Sequence, residues 1–495
     1  MPKAANLIVF LSDNHNRQFL GAAGHPFVKT PAIDSIANRG VRFNNAWCVS
    51  PLCCPSRAAI ATGRYPHQTG FWDNALAYDG SVPTWHHRVR DNGNNATVVG
   101  KLHYRSGSNN NDQSSGQDNG FTEEIDTMHI VDGKGALASL LRATDEGVPK
   151  RRAHKAIYED SVPGDAEYQV YDRRVTKQAI KWLQANASQS KPWVLLVSYV
   201  SPHPPFKVPQ RYWDMYPPQD MSLPVQWRRD ERPVHPADQY RASINYLEDE
   251  FSEDFVRRVV AGYCGLITHT DEQIGEVLAA AESLGLTESS RIMYTSDHGE
   301  AACQHGILGK ANHYEHALGV PLVIAGPDIE AGQVVEQSVS HVDLFPTILE
   351  SVGISLTSED ADLPGRSLWQ VLQGSAAAKP VLAEFHAYGS RNSGFAIRDG
   401  DFKLIYHVDM PNQLFDLVTD PDEENDLLAN GGTHPKAEPL ERILRQQLDP
   451  EEINDRCKAD QARHLELFGG AEAVRKTGMF SRSPIPGSTV EIEKV

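Results

Sequence analysis

Apolar runs that end abruptly in polar residues recur along the chain. The first is Asn6–Asp13, in which five consecutive apolar residues are followed by serine and aspartate. Consecutive apolar positions predict a strand that is buried on both faces, as in a parallel sheet. Later runs of the same kind are ATVVGKLHY, PWVLLVSYV, RIMYTSDHGE and VPLVIAGP. The pattern therefore predicts several buried strands, most of which carry polar groups at their C-terminal ends.

Helical patterns lie between these strands. Thr30–Gly40 offers an N-cap threonine, a proline at the first helical position and a terminal glycine. Asp165–Ser188 and Ser252–Leu284 repeat apolar residues at helical spacing. PSRAAIATG predicts a shorter helix that ends at Gly63, and VRFNNAW predicts one short strand. Strands that alternate with helices predict an α/β fold, with a large, mainly parallel sheet and helices on both of its faces.

The pattern changes after about Gly374. Short apolar segments and the hairpin signal Asp399-Gly400 predict a small C-terminal antiparallel sheet, with the helix EPLERILRQQL packed on it. We therefore divide the chain into a catalytic domain at 1–375, a small α+β subdomain at 376–449 and a tail at 450–495. The tail is expected to serve as the arm of a homo-oligomer, a dimer or tetramer. The polar segment Ser106–Gly120 predicts a loop that acts as a lid.

Composition narrows the function. The chain has 495 residues, of which 65 are acidic and 47 basic, giving a formal charge of −18. This balance argues against a general binder of nucleic acid or anionic membranes. The N-terminal apolar run lacks the length and cleavage site of a signal peptide, and the six cysteines do not form a dense disulfide framework. We expect a cytoplasmic protein with no nucleic-acid and no membrane partner.

Polar groups at the ends of two predicted strands indicate a metal site. Asp13 and Asn14 end one strand, and Asp297 and His298 end another. Because the carboxyl ends of parallel strands meet at one edge of a sheet, these side chains are expected to converge. Oxygen donors with one imidazole favour a divalent cation such as Ca²⁺, Mg²⁺ or Mn²⁺. A single Asp-His pair, taken alone, would indicate only a turn.

Positive and hydrogen-bonding side chains fall near the same strand ends. With a divalent cation they would form an anion-binding pocket in an acidic protein, which suits a sulfuryl or phosphoryl group. The helix predicted from Pro55 adds its N-terminal dipole at Cys53 and Cys54. The side chains are Arg57, Lys101, His103, His203 and Lys310.

The adjacent cysteines Cys53 and Cys54 admit several interpretations. A disulfide between neighbours needs a strained peptide, and a zinc site would need a second cysteine pair that the sequence lacks. A buried pair and a reactive centre remain. The segment CCPSRAAIATGR resembles the signature of the type I, formylglycine-dependent sulfatases of the alkaline phosphatase superfamily, whose cysteine matches Cys53.

Further segments resemble the same family in the same order. They are GKLH, SPHPPF, TSDHGE followed by HGILGK, and VDLFPTILESVG. The resemblance runs from Asn6 to about Leu428. It implies an alkaline-phosphatase-like fold and an arylsulfatase-type hydrolase, a sulfuric ester hydrolase that acts on a small-molecule sulfate or phosphonate ester.

The resemblance also implies individual roles. A separate maturation enzyme would oxidise Cys53 to formylglycine, which also contacts one divalent metal ion, and Cys54 would be a bystander. The metal ligands would be Asp13, Asn14, Asp297 and His298. The groups that hold the formylglycine, its hydrate, the transferred group and the leaving oxygen would be Arg57, His103, Lys101, His203 and Lys310. The substrate-binding residues would be Asn74 and Tyr104.

The implied reaction proceeds through the hydrated aldehyde at position 53. One hydroxyl attacks sulfur with Asp297 as base, a covalent sulfo-enzyme intermediate forms, and His203 or Lys310 assists the leaving oxygen. The second hydroxyl, deprotonated with help from His103, then expels sulfate.

Alternatives stay open on the sequence alone. The same machinery serves phosphonate monoester and phosphodiester hydrolases, a possibility that Asn74 and His298 favour, and an enzyme promiscuous for both is a further form of it. A non-catalytic relative is the other alternative. Many sulfatases have two adjacent aspartates at 13–14 and Asp-Asn at 297–298. The nitrogen donor and the fewer carboxylates here leave Ca²⁺ and Mn²⁺ both as candidates.

Overall fold

The computed structural model describes residues 2–106, 118–131, 134–144, 147–480, 482–488 and 492–493. Most of the predicted lid at Ser106–Gly120 lies outside these residues. The strands are β1 Asn6–Ser12, β2 Gly40–Phe43, β3 Ala46–Trp47, β4 Asn95–Ser106, β5 Glu123–Val131, β6 Trp193–Ser198, β7 Ser290–Ser296, β8 Leu322–Ala325, β9 Gln333–Val335, β10 Val339–Ser340, β11 Val381–Phe385, β12 Gly394–Asp399, β13 Phe402–His407, β14 Gln413–Asp416, β15 Met479–Phe480 and β16 Ile492–Glu493.

Helices separate most of the strands of the first 375 residues. The α-helices are α1 Pro31–Arg39, α2 Cys53–Thr62, α3 Pro66–Thr69, α4 Trp85–Asp91, α5 Arg152–Glu159, α6 Glu167–Asn186, α7 Gln210–Trp213, α8 Pro236–Ile244, α9 Glu253–Ser283, α10 Glu315–Leu318, α11 Leu344–Ser351, α12 Leu368–Leu372, α13 Ala437–Gln447, α14 Pro450–Leu467 and α15 Gly470–Thr477. Short 3-10 helices span Gly21–Ala23, Lys134–Ala143, Pro218–Asp220, Gln304–Gly306, His341–Asp343, Ser358–Asp360 and Ala429–Gly431.

The main sheet has eight strands in the order β5-β4-β6-β1-β7-β8-β2-β9. The five strands from β5 to β7 run parallel, whereas β8 is antiparallel to both of its neighbours. The sheet is therefore mixed and mainly parallel, as predicted. The segment VRFNNAW, predicted as one strand, forms β2 and β3, which belong to different sheets.

The core lies on both faces of this sheet. Along β1, Leu7, Val9 and Leu11 pack into one apolar cluster, while Ile8 and Phe10 pack into a second. Because side chains alternate across a strand, a continuous apolar run is what a strand covered on both faces requires. Asn6–Asp13 was predicted as a strand on this ground, and β1 confirms it.

A second sheet follows in the C-terminal part. It is antiparallel, with the strand order β11-β12-β13-β14, and α13 packs against it through Leu440 and Leu444. The predicted small antiparallel sheet and its helix are confirmed. The division of the chain at residues 375 and 449 stays a prediction.

The tail is attached to its own chain. α14 buries Ile453, Cys457 and Leu465 in the apolar cluster that contains the C-terminal sheet. In the segment predicted as an edge strand, Ile492–Glu493 pairs antiparallel with Met479–Phe480. The homo-oligomer stays a prediction, as does the cytoplasmic location. Among the described helices, none is long and apolar enough to cross a membrane.

Candidate active site

Four parallel strands bring the predicted residues together. β4, β6, β1 and β7 are consecutive neighbours, so their C-terminal ends lie side by side. Ser12 of β1 pairs with Ser296 of β7, which places Asp13 beside Asp297. Asn14 has a φ of 73°, a left-handed conformation that asparagine tolerates better than most residues.

A buried group of ligand atoms forms where these strands end. Asp13, Cys53, Asp297 and His298 offer atoms that all lie within 4.8 Å of one another. His298 Nε2 lies 3.2 Å from Cys53 Sγ, and Asp13 Oδ1 lies 3.8 Å from the same sulfur. Two carboxylates and one imidazole are donors that suit a divalent cation, so this part of the predicted metal site fits the ion.

Arg57 makes hydrogen bonds to a carboxylate and to two strands of the site. It lies four residues after Cys53 on α2, and therefore on the same face of the helix. Its Nε donates to Asp297 Oδ2 at 2.7 Å, and its Nη1 donates to the Lys101 carbonyl and the Ser198 hydroxyl at 2.9 Å each. The Lys101 ammonium forms an ion pair with Asp13 Oδ2. Two of the three predicted cations, Arg57 and Lys101, thus contact the two carboxylates.

Asn14 and Lys310 form a second part of the site. Asn14 Oδ1 accepts a hydrogen bond from Lys310 Nζ at 2.8 Å, and Asn14 Nδ2 donates to Glu300 Oε2 at 2.6 Å. Glu300 is itself held by the backbone N–H groups of Ala302 and Gly309. The amide of Asn14 is therefore fixed in one orientation, and an ion would bind the second lone pair of its oxygen.

The two predicted histidines line the cavity above Cys53. His203 Nδ1 lies 2.7 Å from the Pro204 carbonyl, so this nitrogen carries the proton of the neutral ring and leaves Nε2 as an acceptor. Among the described residues, neither ring nitrogen of His103 has a hydrogen-bond partner, although both are buried. A buried polar group without a partner points to a ligand that completes the site.

Cys53 occupies the first position of α2 and is 2% exposed. The helix starts two residues earlier than the predicted Pro55. Asn74 Oδ1 accepts the backbone N–H of Cys54 at 3.1 Å, so Asn74 caps the first turn and also lines the cavity. All six cysteines are free, which excludes a Cys53–Cys54 disulfide in this structure.

Tyr104 is the predicted site residue that the structure places elsewhere. It belongs to the apolar core, where its ring centroid lies 4.8 Å from that of Tyr78, and its hydroxyl lies 3.4 Å from His86 Nε2. His103 lines the cavity and Tyr104 does not. His103 has a φ of 56°, and β4 changes its register against β5 between Lys101 and Arg105, so the strand is irregular here and directs the two side chains to different places.

Burial and neighbouring charges shift the pKa values of the site in opposite directions. Burial would raise the pKa of Asp13, but Lys101 and Lys310 hold it well below its usual range. Burial and the charge of Asp13 raise the pKa of Asp297 to about 7 in spite of Arg57. Burial and Asp13 also raise the pKa of the Cys53 thiol to about 11. The unmodified thiol is therefore protonated at neutral pH and is a weak nucleophile.

The profile of the sulfatase family matches residues 5–354, which is well over half of the chain. The chain belongs to the sulfatase family. It is accordingly a sulfuric ester hydrolase, and its sheet is that of the alkaline phosphatase superfamily, as the resemblance implied. A second profile, the C-terminal region of N-sulphoglucosamine sulphohydrolase, matches residues 303–454 of this sulfatase.

Individual relatives cover most of the chain. Choline-sulfatase of Rhizobium meliloti is 30% identical over 446 residues, which are 86% of this chain and 82% of that protein. Arylsulfatase K of Bos taurus is 31% identical over 451 residues, 86% of this chain and 79% of that protein. The crystal structure of phosphonate monoester hydrolase of Agrobacterium radiobacter aligns with a TM-score of 0.70 at 25% identity, covering 92% of this chain and 96% of that one.

Several site residues escaped the sequence reasoning. Glu300 and Ser198 stand within or directly after predicted strands, so the rule that strand ends carry function would have found them. Arg151, Tyr158 and Arg482 also line the cavity or touch its framework, but they come from segments without a motif. Only the tertiary structure brings these three to the site.

Proposed function

We propose that this sulfatase hydrolyses small sulfate monoesters of the aryl sulfate type at residue 53, after a maturation enzyme has converted Cys53 to formylglycine. The observation that carries the proposal is the position of Cys53. It lies at the first turn of α2, within 4.8 Å of the ligand atoms of Asp13, Asp297 and His298, and at the floor of a cavity of about 160 Å³. The geometry supports a reactive centre rather than a buried spectator.

The donor set supports one divalent metal ion, either Ca²⁺ or Mn²⁺. Asp13, Asp297 and His298 would hold it together with the side-chain oxygen Oδ1 of Asn14 and with residue 53. The carboxylates suit both ions, and the imidazole nitrogen favours Mn²⁺ over Ca²⁺. When bound, the ion supplies a Lewis acid, and the hydrated formylglycine supplies the attacking hydroxyl.

The chain's own cations would bind the sulfuryl group. Lys310 Nζ lies 3.7 Å from Asp13 Oδ1 and also lines the cavity, so it reaches both the carboxylates and a substrate. Arg57 and Lys101 lie directly behind the two carboxylates and stabilise charge that develops in front of them. The burial of these groups strengthens each interaction, because water is excluded.

The histidines would handle protons. Burial and Lys310 lower the pKa of His203 well below its usual value, and burial and Lys101 do the same for His103. Both rings are therefore neutral in the resting protein, and their free nitrogens are able to accept protons. Because neutral His203 keeps Nε2 as an acceptor, the proton for the leaving oxygen would come from the Lys310 ammonium, which lines the same cavity, while His103 would accept a proton from residue 53.

The test combines mass and activity on one preparation. The protein is expressed with and without a formylglycine-generating enzyme, and the peptide containing residue 53 is weighed in each sample. Turnover of an aryl sulfate is expected to rise in proportion to the converted fraction. Full activity in a sample whose residue 53 is entirely thiol would overturn the proposal.

Hydrolysis of phosphonate monoesters is the second candidate. Asn74 supports it, since this residue lines the cavity beside Cys53, and so does the similarity to the Agrobacterium radiobacter enzyme. A phosphonate monoester and a sulfate monoester are both monoanions, so one pocket can serve both. Comparison of kcat/KM for an aryl sulfate and an aryl phosphonate with the same leaving phenol decides which reaction is the main one.

A further inference from the structure

The side chains that line the cavity at Cys53 carry positive charge in a protein that is acidic overall. Lys310, Arg151 and Arg482 line it, and among the described residues that line it there is no aspartate or glutamate. The chain as a whole has 65 acidic and 47 basic residues, so this imbalance runs against its composition. A cleft with charges of one sign attracts ligands of the opposite sign. The proposed function gives Lys310 a role in binding the sulfuryl group, whereas it gives no role to the two arginines.

Arg151 stands on a rigid base. Its guanidinium lies over the ring of Tyr388, 5.1 Å from the centroid. The Tyr388 hydroxyl lies 2.9 Å from Asn245 Oδ1 and 3.2 Å from the Ile244 carbonyl, which also accepts the backbone N–H of Arg151. The ring and the main chain at residue 151 are therefore tied to the same turn. This arrangement pre-positions the guanidinium at the cavity wall.

Arg482 reaches the cavity from the C-terminal tail. The Tyr168 hydroxyl donates to the Ser483 carbonyl at 2.7 Å, and Ile485 packs against the apolar core of the main sheet. Arg482 Nη2 lies 3.4 Å from Glu167 Oε2, and both side chains are partly exposed. Exposed ion pairs of this kind are weak, so an anion in the cavity can replace Glu167 as the partner of Arg482.

The two arginines approach the reaction centre from different sides. His154, three residues after Arg151, has its Nε2 2.9 Å from the Leu308 carbonyl. Arg151, His154 and Lys310 all line the cavity, so Arg151 lies on the Lys310 side. Tyr168, which holds the segment of Arg482, lies 5.7 Å from the ring of His203 between centroids. The space between the arginines is where the alcohol part of a bound ester would extend.

We propose that the leaving group of the natural ester carries its own anion, a carboxylate or a second sulfate, which Arg151 and Arg482 bind. This inference rests on the proposed function, because it names the class of ester that the same site accepts. Arginine binds both anions in a bidentate manner, which makes it suited to either. The same charges disfavour a leaving group that carries a quaternary ammonium.

The experiment uses three phenyl sulfates that differ at the meta position. The substituents are carboxylate, carboxamide and trimethylammonium, so that net charge changes while size stays similar. Each kcat/KM is divided by the rate of uncatalysed hydrolysis, which removes the effect of the substituent on the leaving oxygen. We expect the carboxylate ester to exceed the carboxamide ester by about tenfold, and the trimethylammonium ester to be the poorest. 1,3-Phenylene bis(sulfate), which carries a second sulfate ester at the meta position, is then compared with phenyl sulfate to test the second sulfate.

Variants assign the preference to the two arginines. Arg151→Gln and Arg482→Gln are each expected to lower the ratio of carboxylate to carboxamide kcat/KM by about threefold, mainly through KM, and the double variant is expected to abolish it. Arg173→Gln is the control. Arg173 lies on α6, forms an exposed ion pair with Asp165 and does not line the cavity. This control is expected to keep the ratio of the unmodified protein.

The outcomes separate the two proposals. Equal values for the three esters, or a ratio that survives both substitutions, would overturn this inference and leave the sulfatase function intact. No turnover of any ester, with residue 53 fully converted, would overturn the proposed function instead. In that case calorimetric binding of 3-hydroxybenzoate against 3-hydroxybenzamide still decides the charge preference of the cavity.

Discussion

Asn14 Nδ2 donates a hydrogen bond of 2.6 Å to Glu300 Oε2, and this contact sets the orientation of the Asn14 amide. The amide oxygen then faces Lys310. Glu300 lies three residues after Asp297, at the end of the same strand. Glu300, which does not line the cavity, thus positions a predicted metal ligand and a cation at once.

Glu300→Gln tests this relationship. The new amide keeps an oxygen for the N–H groups of Ala302 and Gly309, but it presents an N–H₂ group to the N–H₂ group of Asn14. Two donors cannot bond, so the Asn14 amide is expected to rotate, and kcat/KM to fall by about 10- to 100-fold. Glu282→Gln, an exposed change on α9, is the control. Unchanged kinetics and metal content would show that Glu300 has no positioning role.

Adjacent cysteines allow a matched comparison. Cys53→Ala removes the residue at the metal-binding group and is expected to lower turnover by roughly 10³-fold or more. Cys54 is 1% exposed and packs with Ala77 and Ile130, so Cys54→Ala is expected to cost about 1 kcal/mol of stability while activity remains. Comparable loss of activity in both variants, at equal folded fractions, would contradict the assignment of Cys53.

The metal site predicts a stability linked to the ion. A ligand that binds only the folded state adds about 2.7 kcal/mol at 100 times its Kd. We expect a chelator to lower the Tm, and Ca²⁺ or Mn²⁺ to restore it. His298→Ala removes the nitrogen donor, so it is expected to reduce stabilisation by Mn²⁺ more than that by Ca²⁺. His464→Ala on α14 serves as the control, and equal Tm shifts in the two variants would argue against His298 as a ligand.

Glu384 predicts a pH-dependent stability outside the active site. Burial alone would raise its pKa, but His67 and His386 outweigh burial and lower the pKa to about 2. A carboxyl group with a depressed pKa stabilises the fold above its ordinary pKa, which is 4.5 for this glutamate, and this contribution is lost as the pH falls towards 2. The full contribution is about 3 kcal/mol, of which about 2 kcal/mol is lost between pH 6 and pH 3.

Urea unfolding at these two pH values measures that loss. Glu384→Gln is expected to be less stable at pH 6 and to lose about 2 kcal/mol less on acidification than the unmodified protein. Glu438→Gln is the control, because the Glu438 side chain is 86% exposed. If Glu384→Gln and the unmodified protein lose the same free energy, the ionised carboxylate is not the source.

The predicted oligomer is best tested with a short truncation. Removal of everything beyond Pro450 would strip Ile453, Cys457 and Leu465 from an apolar cluster, and would test folding rather than assembly. Deletion of residues 489–495 spares that cluster and the segment of Arg482. A dimer or tetramer that depends on the tail is expected to dissociate in sedimentation or light-scattering measurements. An unchanged solution mass would contradict the predicted arm.

Local patterns predicted the parallel part of the fold well. Asn6–Asp13 became β1, Ser252–Leu284 enclosed α9, and a glycine ended α2 as expected. Burial on both faces imposes continuous apolar runs, and capping imposes particular residues at helix ends. These requirements act over a few residues and are therefore visible in the sequence. The antiparallel pairing of β2 with β8 places Gly40 opposite Ala325, and no local sequence pattern predicts this pairing.

Strand-end positions alone identified the residues that could do chemistry, because a parallel sheet gathers those ends wherever its strands come from. The family signature then assigned Cys53 and its partners. The neighbours that surround these residues follow from the folded chain instead. In the folded chain Tyr104 packs in the apolar core, and Glu300 accepts a hydrogen bond from Asn14. Arg151 and the tail residue Arg482 line one cavity. Such contacts depend on side-chain direction and on the packing of distant segments, which pairwise spacing along the chain does not encode.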